Sequence, residues 1–117
     1  MPLKVSSRLQ DDIAVLEITG ELTLGPSLTA LRDAAKRALE PKKPKGMALL
    51  LGGVTSIDTS GLGELTVVYT FAARRGCRIV LLDVSPKLGK MLEMTRLDAI
   101  LPSAADMASA KKHFEEQ

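Results

Sequence analysis

The 117-residue chain predicts an α/β fold: a mixed, mostly parallel sheet of about four to five strands packed with about four α-helices. Three observations carry that prediction. The first two strand-like segments are separated only by Gln10-Asp11-Asp12, so they read as an antiparallel hairpin. Met47–Leu51 and Ile79–Leu82 are apolar without alternation, as strands covered on both faces of a parallel sheet are. Helix-periodic stretches separate the later strands, which parallel pairing requires of its crossovers, and such crossovers are right-handed.

Each element has its own signal. Leu3, Val5, Ser7 and Leu9 alternate with Lys4, Ser6 and Arg8, predicting a strand with one polar face at a sheet edge. Ile13–Thr19 is the second strand, and residues 20–26, Gly-Glu-Leu-Thr-Leu-Gly-Pro, read as a loop. Ser27 is placed to cap a helix running to about Leu39, with Leu28, Leu31, Ala35 and Leu39 along one stripe. Residues 41–46 then form a basic surface turn containing Lys42, Lys43 and Lys45, ahead of the Met47–Leu51 strand. A helix is expected over about 61–75, burying Leu62, Leu65, Tyr69, Ala72 and Ala73. Arg74 and Arg75 suit its negative end, and Gly76 a left-handed cap. A buried strand over Arg78–Val84 follows, then a helix opened by Ser85-Pro86 with Leu88, Met91, Leu92 and Met94. Ala99-Ile100-Leu101 reads as a short last strand, and Ser103 with Asp106 as a capping box for a helix to about Phe114. The length suits one domain over residues 1–117.

Composition narrows the function. A net charge of +2 is too slight to argue for nucleic acid or an anionic membrane, and with no Trp, one Tyr and two Phe there are no base-stacking platforms. No apolar run is long enough to span a bilayer, so direct membrane insertion is not expected. The single Cys77 has no internal disulfide partner, which fits a reducing cytoplasm; it reads as a small core residue. The one histidine, His113, reads as a solvated side chain. No Cys/His spacing suits zinc, and Ser60 lacks the glycines of a nucleophile elbow, since Asp58 and Leu62 occupy those places. Gly61-Leu62-Gly63 begins like a dinucleotide fingerprint, but Thr66 stands at its third glycine and no Walker lysine follows. The expectation is a non-enzymatic protein with no catalytic residue, cofactor or metal.

The most informative stretch is Val54–Leu65, where Asp58, Thr59 and Ser60 lie between an apolar strand and a helix start. That position is the crevice beyond the carboxyl ends of parallel strands. One reading is helix capping alone, since Asp, Thr and Ser are all good caps. Capping does not require Gly61 and Gly63, each of which costs about 1 kcal/mol of helix propensity. The second reading is a phosphorylation switch in which these glycines clear space for a partner protein. Phosphate on Ser60 would add about −1.5 to −2 charges, stabilised by the amides of Gly61, Leu62 and Gly63. Beside Asp58, it would repel an acidic partner surface without changing the fold.

Gly20-Glu21-Leu22, Gly53-Val54-Thr55, Ile57-Asp58, Ser60-Gly61-Leu62-Gly63 and Arg74-Arg75-Gly76 stand in that order along the chain. The series resembles the STAS domains, the family of the anti-sigma factor antagonists. The resemblance implies the STAS fold and a bacterial cytoplasmic regulator of transcription that works by partner switching. It implies that Ser60, with Thr59 as the alternative acceptor, takes phosphate from an anti-sigma factor that is also a serine kinase, and that a phosphatase resets Ser60. Glu21, Leu22, Thr23, Asp58, Thr59, Ser60, Gly61, Leu62 and Gly63 are the implied partner-binding residues. Many members carry Asp where this chain has Thr23 and Leu50, and both positions are expected near the switch. The family also includes subunits of stress-signalling scaffolds and cytoplasmic modules of transporters, which are the alternative reading.

Overall fold

The computed structural model describes residues 2–40 and 43–115. Its strands are β1 (Lys4–Gln10), β2 (Ile13–Leu22), β3 (Gly46–Ile57), β4 (Arg78–Leu82) and β5 (Ser103–Ala104). Its helices are α1 (Pro26–Leu39), α2 (Thr59–Ala73), α3 (Pro86–Met94) and α4 (Met107–Glu115), with a single 3₁₀ turn over Leu97–Ala99. One sheet runs in the order β1-β2-β3-β4-β5. β1 pairs antiparallel with β2, and every later pairing is parallel. The mixed, mostly parallel α/β architecture expected from the pattern is the one observed.

The patterning explains the layers. On β2, β3 and β4, alternate side chains are buried on opposite faces. Leu16, Ile18, Met47, Leu49, Leu51, Ile79 and Leu81 meet α1, α2 and α3 through Leu31, Leu39, Leu65, Val68, Leu88 and Leu92. Ile13, Val15, Ala48, Val80 and Leu82 meet α4 through Ala110 and Phe114. The unalternating apolar runs are thus strands covered on both sides. β1 is one edge of the sheet; its Val5 and the preceding Leu3 pack partly on the core while Leu9 remains exposed.

Several boundaries differ from expectation. Gly20-Glu21-Leu22 is strand, not loop: β2 continues beside β3 with register shifts, which a left-handed Gly20 (φ 102°) accommodates. β3 likewise runs through Gly52-Gly53 to Ile57, because those glycines lie against Asp83 and Thr19 rather than breaking the strand. α1 begins at Pro26 with Gly25 as N-cap and no side-chain cap, so Ser27 lies inside the helix. Pro26 sets the first helical turn, and its missing N–H is one that would go unused there. In α2 the buried set is Gly61, Leu62, Glu64, Leu65, Val68 and Ala72; Tyr69 is half-buried and Ala73 exposed. β4 stops at Leu82, and the last strand is Ser103–Ala104, not residues 99–101. Ala99 ends the 3₁₀ turn, and Leu101 is buried beyond it. Ser103 pairs with Leu81 in the sheet, and Asp106 caps α4, accepting from the Ser109 amide at 2.8 Å.

Other local readings hold. Ser85 caps α3, accepting from the Leu88 amide at 3.1 Å. Gly76 adopts φ 71° after α2, and Arg75 donates to the Phe71 carbonyl at 3.1 Å in the last turn. Cys77 is buried. Lys43 and Lys45 of the basic turn are exposed, and Lys42 lies outside the described residues.

Candidate functional site

The site forms where β3 ends and α2 begins. Asp58 leaves the strand in extended conformation (φ −117°, ψ −176°) and becomes the helix N-cap. One carboxylate oxygen, Oδ1, accepts from the Gly61 amide at 2.8 Å. The other, Oδ2, accepts from the Leu24 amide at 3.0 Å, in the loop between β2 and α1. One side chain therefore ties together two loops that are 34 residues apart in sequence. The Leu24 amide first, and the Gly61 amide second, hold the Asp58 carboxyl below the usual carboxylate range, against a smaller opposing effect of burial.

Thr59 and Ser60 are the first two residues of α2; Thr59 is exposed and Ser60 half-buried. The two glycines that follow serve different ends. A Cβ on Gly61 would collide with the backbone of Leu22, standing 2.9 Å from its carbonyl carbon and closer still to its oxygen. Gly61 thus permits close approach within the molecule, and not the partner access expected of it. Gly63 has nothing within 4 Å of where its Cβ would be, and its surface is open.

The predicted residues divide accordingly. Asp58, Thr59, Ser60, Gly61 and Gly63 converge at the helix start. Leu22 and Leu62 are buried, so their side chains belong to the core rather than to a partner surface. Glu21 and Thr23 are half-buried beside a cleft of about 350 Å³, which Pro26, Ser27 and Ala30 also line. Of the amides expected to cradle a phosphate, that of Gly61 is held by the Asp58 carboxylate. That of Leu62 donates to the Asp58 carbonyl at 2.9 Å. Thr23 adjoins the Asp58-bound Leu24, as expected. Leu50 does not lie near the switch: it pairs with Glu17 and Leu82 well before the end of β3 and packs on the α4 face.

Sequence reasoning missed two features. Leu24, whose amide Asp58 holds, is 75% exposed, a large apolar side chain at the rim of the site. Its exposure has no local signal, since it depends on where β2 ends. Glu64 is 3% exposed and receives both prongs of the Arg32 guanidinium, Nε to Oε2 and Nη2 to Oε1, each at 2.8 Å. A carboxylate on the buried stripe of α2, four residues after a serine, was the available clue. Among the described residues no group of His, Cys, Asp or Glu is arranged to hold a metal ion. Among them also, no helix is long and apolar enough to cross a membrane.

A capped helix presenting hydroxyls beyond the ends of parallel strands, with a pinned loop beside it, places the chain among α/β proteins of mixed, mostly parallel sheet. The chain belongs to the STAS-domain family: the family described as "Mlab, STAS domain" matches residues 5–102. An anti-sigma F factor antagonist of Paenibacillus polymyxa is 24% identical over 115 residues, covering 98% of this chain and 97% of the relative. Among solved structures, an anti-sigma factor antagonist from Mycobacterium paratuberculosis superposes with a TM-score of 0.79 at 19% identity, covering 97% of this chain and 95% of that one. The unphosphorylated form of the antagonist SpoIIAA superposes at 0.70 with 16% identity, covering 98% and 99%, and the Bacillus protein is also known in a phosphorylated form. A sulfate transporter family protein from Wolinella succinogenes shares the fold at 0.72 with 20% identity, covering 92% and 88%.

Proposed function

We propose that this protein is a non-enzymatic anti-sigma factor antagonist of the bacterial cytoplasm, working by phosphorylation-controlled partner switching. Unmodified, it binds an anti-sigma factor with serine kinase activity and so frees a sigma factor. Phosphorylation of Ser60 by that partner releases it, and a phosphatase resets the site. Glu21, Thr23, Leu24, Asp58, Thr59, Ser60 and Gly63 form the contact surface, with Leu22, Gly61 and Leu62 as its support from below.

The observation that carries this reading is the hydroxyl of Ser60 at the start of α2, on a turn braced by Asp58 to the Leu24 loop and open at Gly63. A rigid turn favours a partner surface that needs no ordering on binding. A charge added there changes that surface directly. The names of the antagonists it resembles support the same reading.

The test is affinity capture from native lysate with Ser60→Ala and Ser60→Asp proteins as paired baits, read by mass spectrometry. A kinase-type anti-sigma factor should be retained by the alanine bait and lost from the aspartate bait. Equal recovery of transporter or scaffold subunits by both baits would overturn the switch and leave Ser60 with a structural role.

A further inference from the structure

β4 is covered unevenly along its length. On one side β3 pairs with it throughout, from Arg78 opposite Gly46 to Leu82 opposite Leu50. On the other side β5 pairs only with Leu81 and Leu82. The Leu81 amide donates outward to the Pro102 carbonyl at 2.8 Å, and backbone groups two residues apart on a strand point to the same side. The N–H and C=O of Ile79 therefore face the open edge. Continuing the same ladder back would have the Ile79 carbonyl accept from the amide of residue 102, and proline has no N–H to give. The residues before Pro102 form the 3₁₀ turn instead of more strand. Among the described residues, neither backbone group of Ile79 has a partner on this side.

A cavity of about 200 Å³ opens at this edge, between the two helical layers: Tyr69 of α2 lines it from one face of the sheet and His113 of α4 from the other. Ile100, 37% exposed, and Pro102 give it an apolar wall. It is smaller than the ~300 Å³ at which small-molecule pockets begin, and has room for a single side chain. Arg78 is the charged residue of its lining, and no acidic residue lines it. Nη1 of Arg78 donates to the His113 carbonyl at 3.1 Å, and among the described residues no carboxylate pairs with this exposed guanidinium. An unpaired strand edge, an apolar hole and an unbalanced cation thus meet at one place, which is what an extended acidic peptide needs to add itself to a sheet.

We propose that the first half of β4 is a second docking surface, which takes an extended, acidic segment of a partner protein onto the free edge at Ile79. One residue of the segment pairs with Ile79: its N–H donates to the Ile79 carbonyl and its C=O accepts from the Ile79 amide, the two bonds that an antiparallel pair exchanges. An apolar side chain of the segment fills the cavity against Ile100 and Pro102, and a carboxylate meets Arg78 in a charge-assisted bond. The backbone bonds supply affinity, while the cavity and Arg78 select the sequence. A second copy of this chain is a poor occupant, because its exposed edge strand β1 would bring Lys4 and Arg8 toward Arg78. The surface lies at the far end of the sheet from Ser60: Arg78 stands opposite Gly46, where β3 starts, and Ser60 follows the end of β3. Binding here is therefore separate from the switch.

The experiment pans a display library of random short peptides on the full wild-type chain, then titrates the best binder, synthesised with blocked ends, into isotope-labelled protein by NMR. The retained sequences should combine Asp or Glu with a nearby Val, Ile or Leu. The peptide should shift the amide signals of residues 78–82 and 99–101, and should slow hydrogen exchange at the Ile79 amide at least about tenfold. Arg78→Glu should weaken it at least about tenfold, and the same peptide with Lys in place of its acids should regain binding to that variant. Ile100→Ala, at a half-exposed position that leaves the Arg78 contact with α4 intact, should weaken the original peptide several-fold and keeps the test available if Arg78→Glu does not fold. Failure to retain acidic sequences, shifts centred on β1 or α2 instead of β4, or equal affinity for wild type and a folded variant overturns the proposal. No kinase and no change at Ser60 takes part, so the failure of the switch would leave this result untouched.

Discussion

Gly61→Ala and Gly63→Ala should move stability in opposite directions, although both replace a first-turn glycine of the same helix. At Gly61 the added methyl would meet Leu22, with the carbonyl carbon at 2.9 Å and Cγ at 3.0 Å, where ordinary contact begins at 3.4 Å. The obstacle is backbone, so no rotamer relieves it. Either the end of β2 or the start of α2 must shift. Both are held, by the pairing of Leu22 with Ile57 and by the Asp58 bonds to Gly61 and Leu24. Overpacking that forces backbone movement costs about 3 kcal/mol, and the gain in helix propensity returns less than ~1 kcal/mol. The net loss is about 2 kcal/mol, or roughly 8 °C in Tm for a domain of this size. At Gly63 nothing lies within 4 Å, so only the propensity gain remains, up to ~1 kcal/mol and a few degrees upward. The assay is thermal unfolding followed by far-ultraviolet circular dichroism, with urea titration as a second measure. A Gly61→Ala protein that melts at or above wild type would refute the assignment of that glycine to the Leu22 contact. Gly63→Ala should also bind the partner more weakly despite its higher Tm, because the methyl occupies surface left open for contact.

Other expectations concern ionisation and packing. The folded Asp58 carboxyl is held low, so its stabilising effect is present above its unfolded value near about 3.9 and is lost as pH falls through the lower folded value. Asp58→Ala should therefore be less stable than wild type at neutral pH, with the gap closing in acid; urea melts giving a pH-independent gap would contradict this. Burial first, and the charge of Asp12 second, push the Cys77 thiol up to about 11, so it should resist disulfide reagents at pH 8 until urea unfolds the chain. Fast labelling of the native protein would count against a buried thiol. Phe114 anchors α4 on its face of the sheet at 2% exposure, and Phe114→Ala should cost about 3–5 kcal/mol in denaturant unfolding. A loss below ~1 kcal/mol would show that α4 contributes little to the core.

Much of the fold was legible because hydrophobic burial writes a local pattern. Met47–Leu51 and Ile79–Leu82 show continuous apolarity since helices cover both of their faces. The β1 alternation and the short Gln10-Asp11-Asp12 gap mark the antiparallel pair of β1 and β2. What failed was where β2 and β3 end. Gly20, Gly52 and Gly53 are in strands because neighbouring chain comes close, and that closeness is a tertiary fact. The short last strand was misplaced for a related reason: Ser103–Ala104 has little pattern of its own and is strand only because β4 lies beside it.

In the site, Asp58, Thr59 and Ser60 were readable because a cap is local to its helix. The meaning of Gly61 was not, since Leu22 stands on a different strand. Nor was the Arg32 to Glu64 bridge, whose partners lie 32 residues apart. Leu50 was expected near the switch from the resemblance alone, and β3 runs on past it to Ile57 before the site begins.

The central claim is that phosphate on Ser60 controls partner binding while the fold stays unchanged. Calorimetric titration of the kinase-type partner recovered by the alanine bait, against unmodified protein and protein carrying phosphoserine at position 60, tests it most directly. The account predicts a loss of affinity of at least about tenfold, or 1.4 kcal/mol, with identical circular dichroism spectra for the two forms. Equal affinities for the two forms would contradict it.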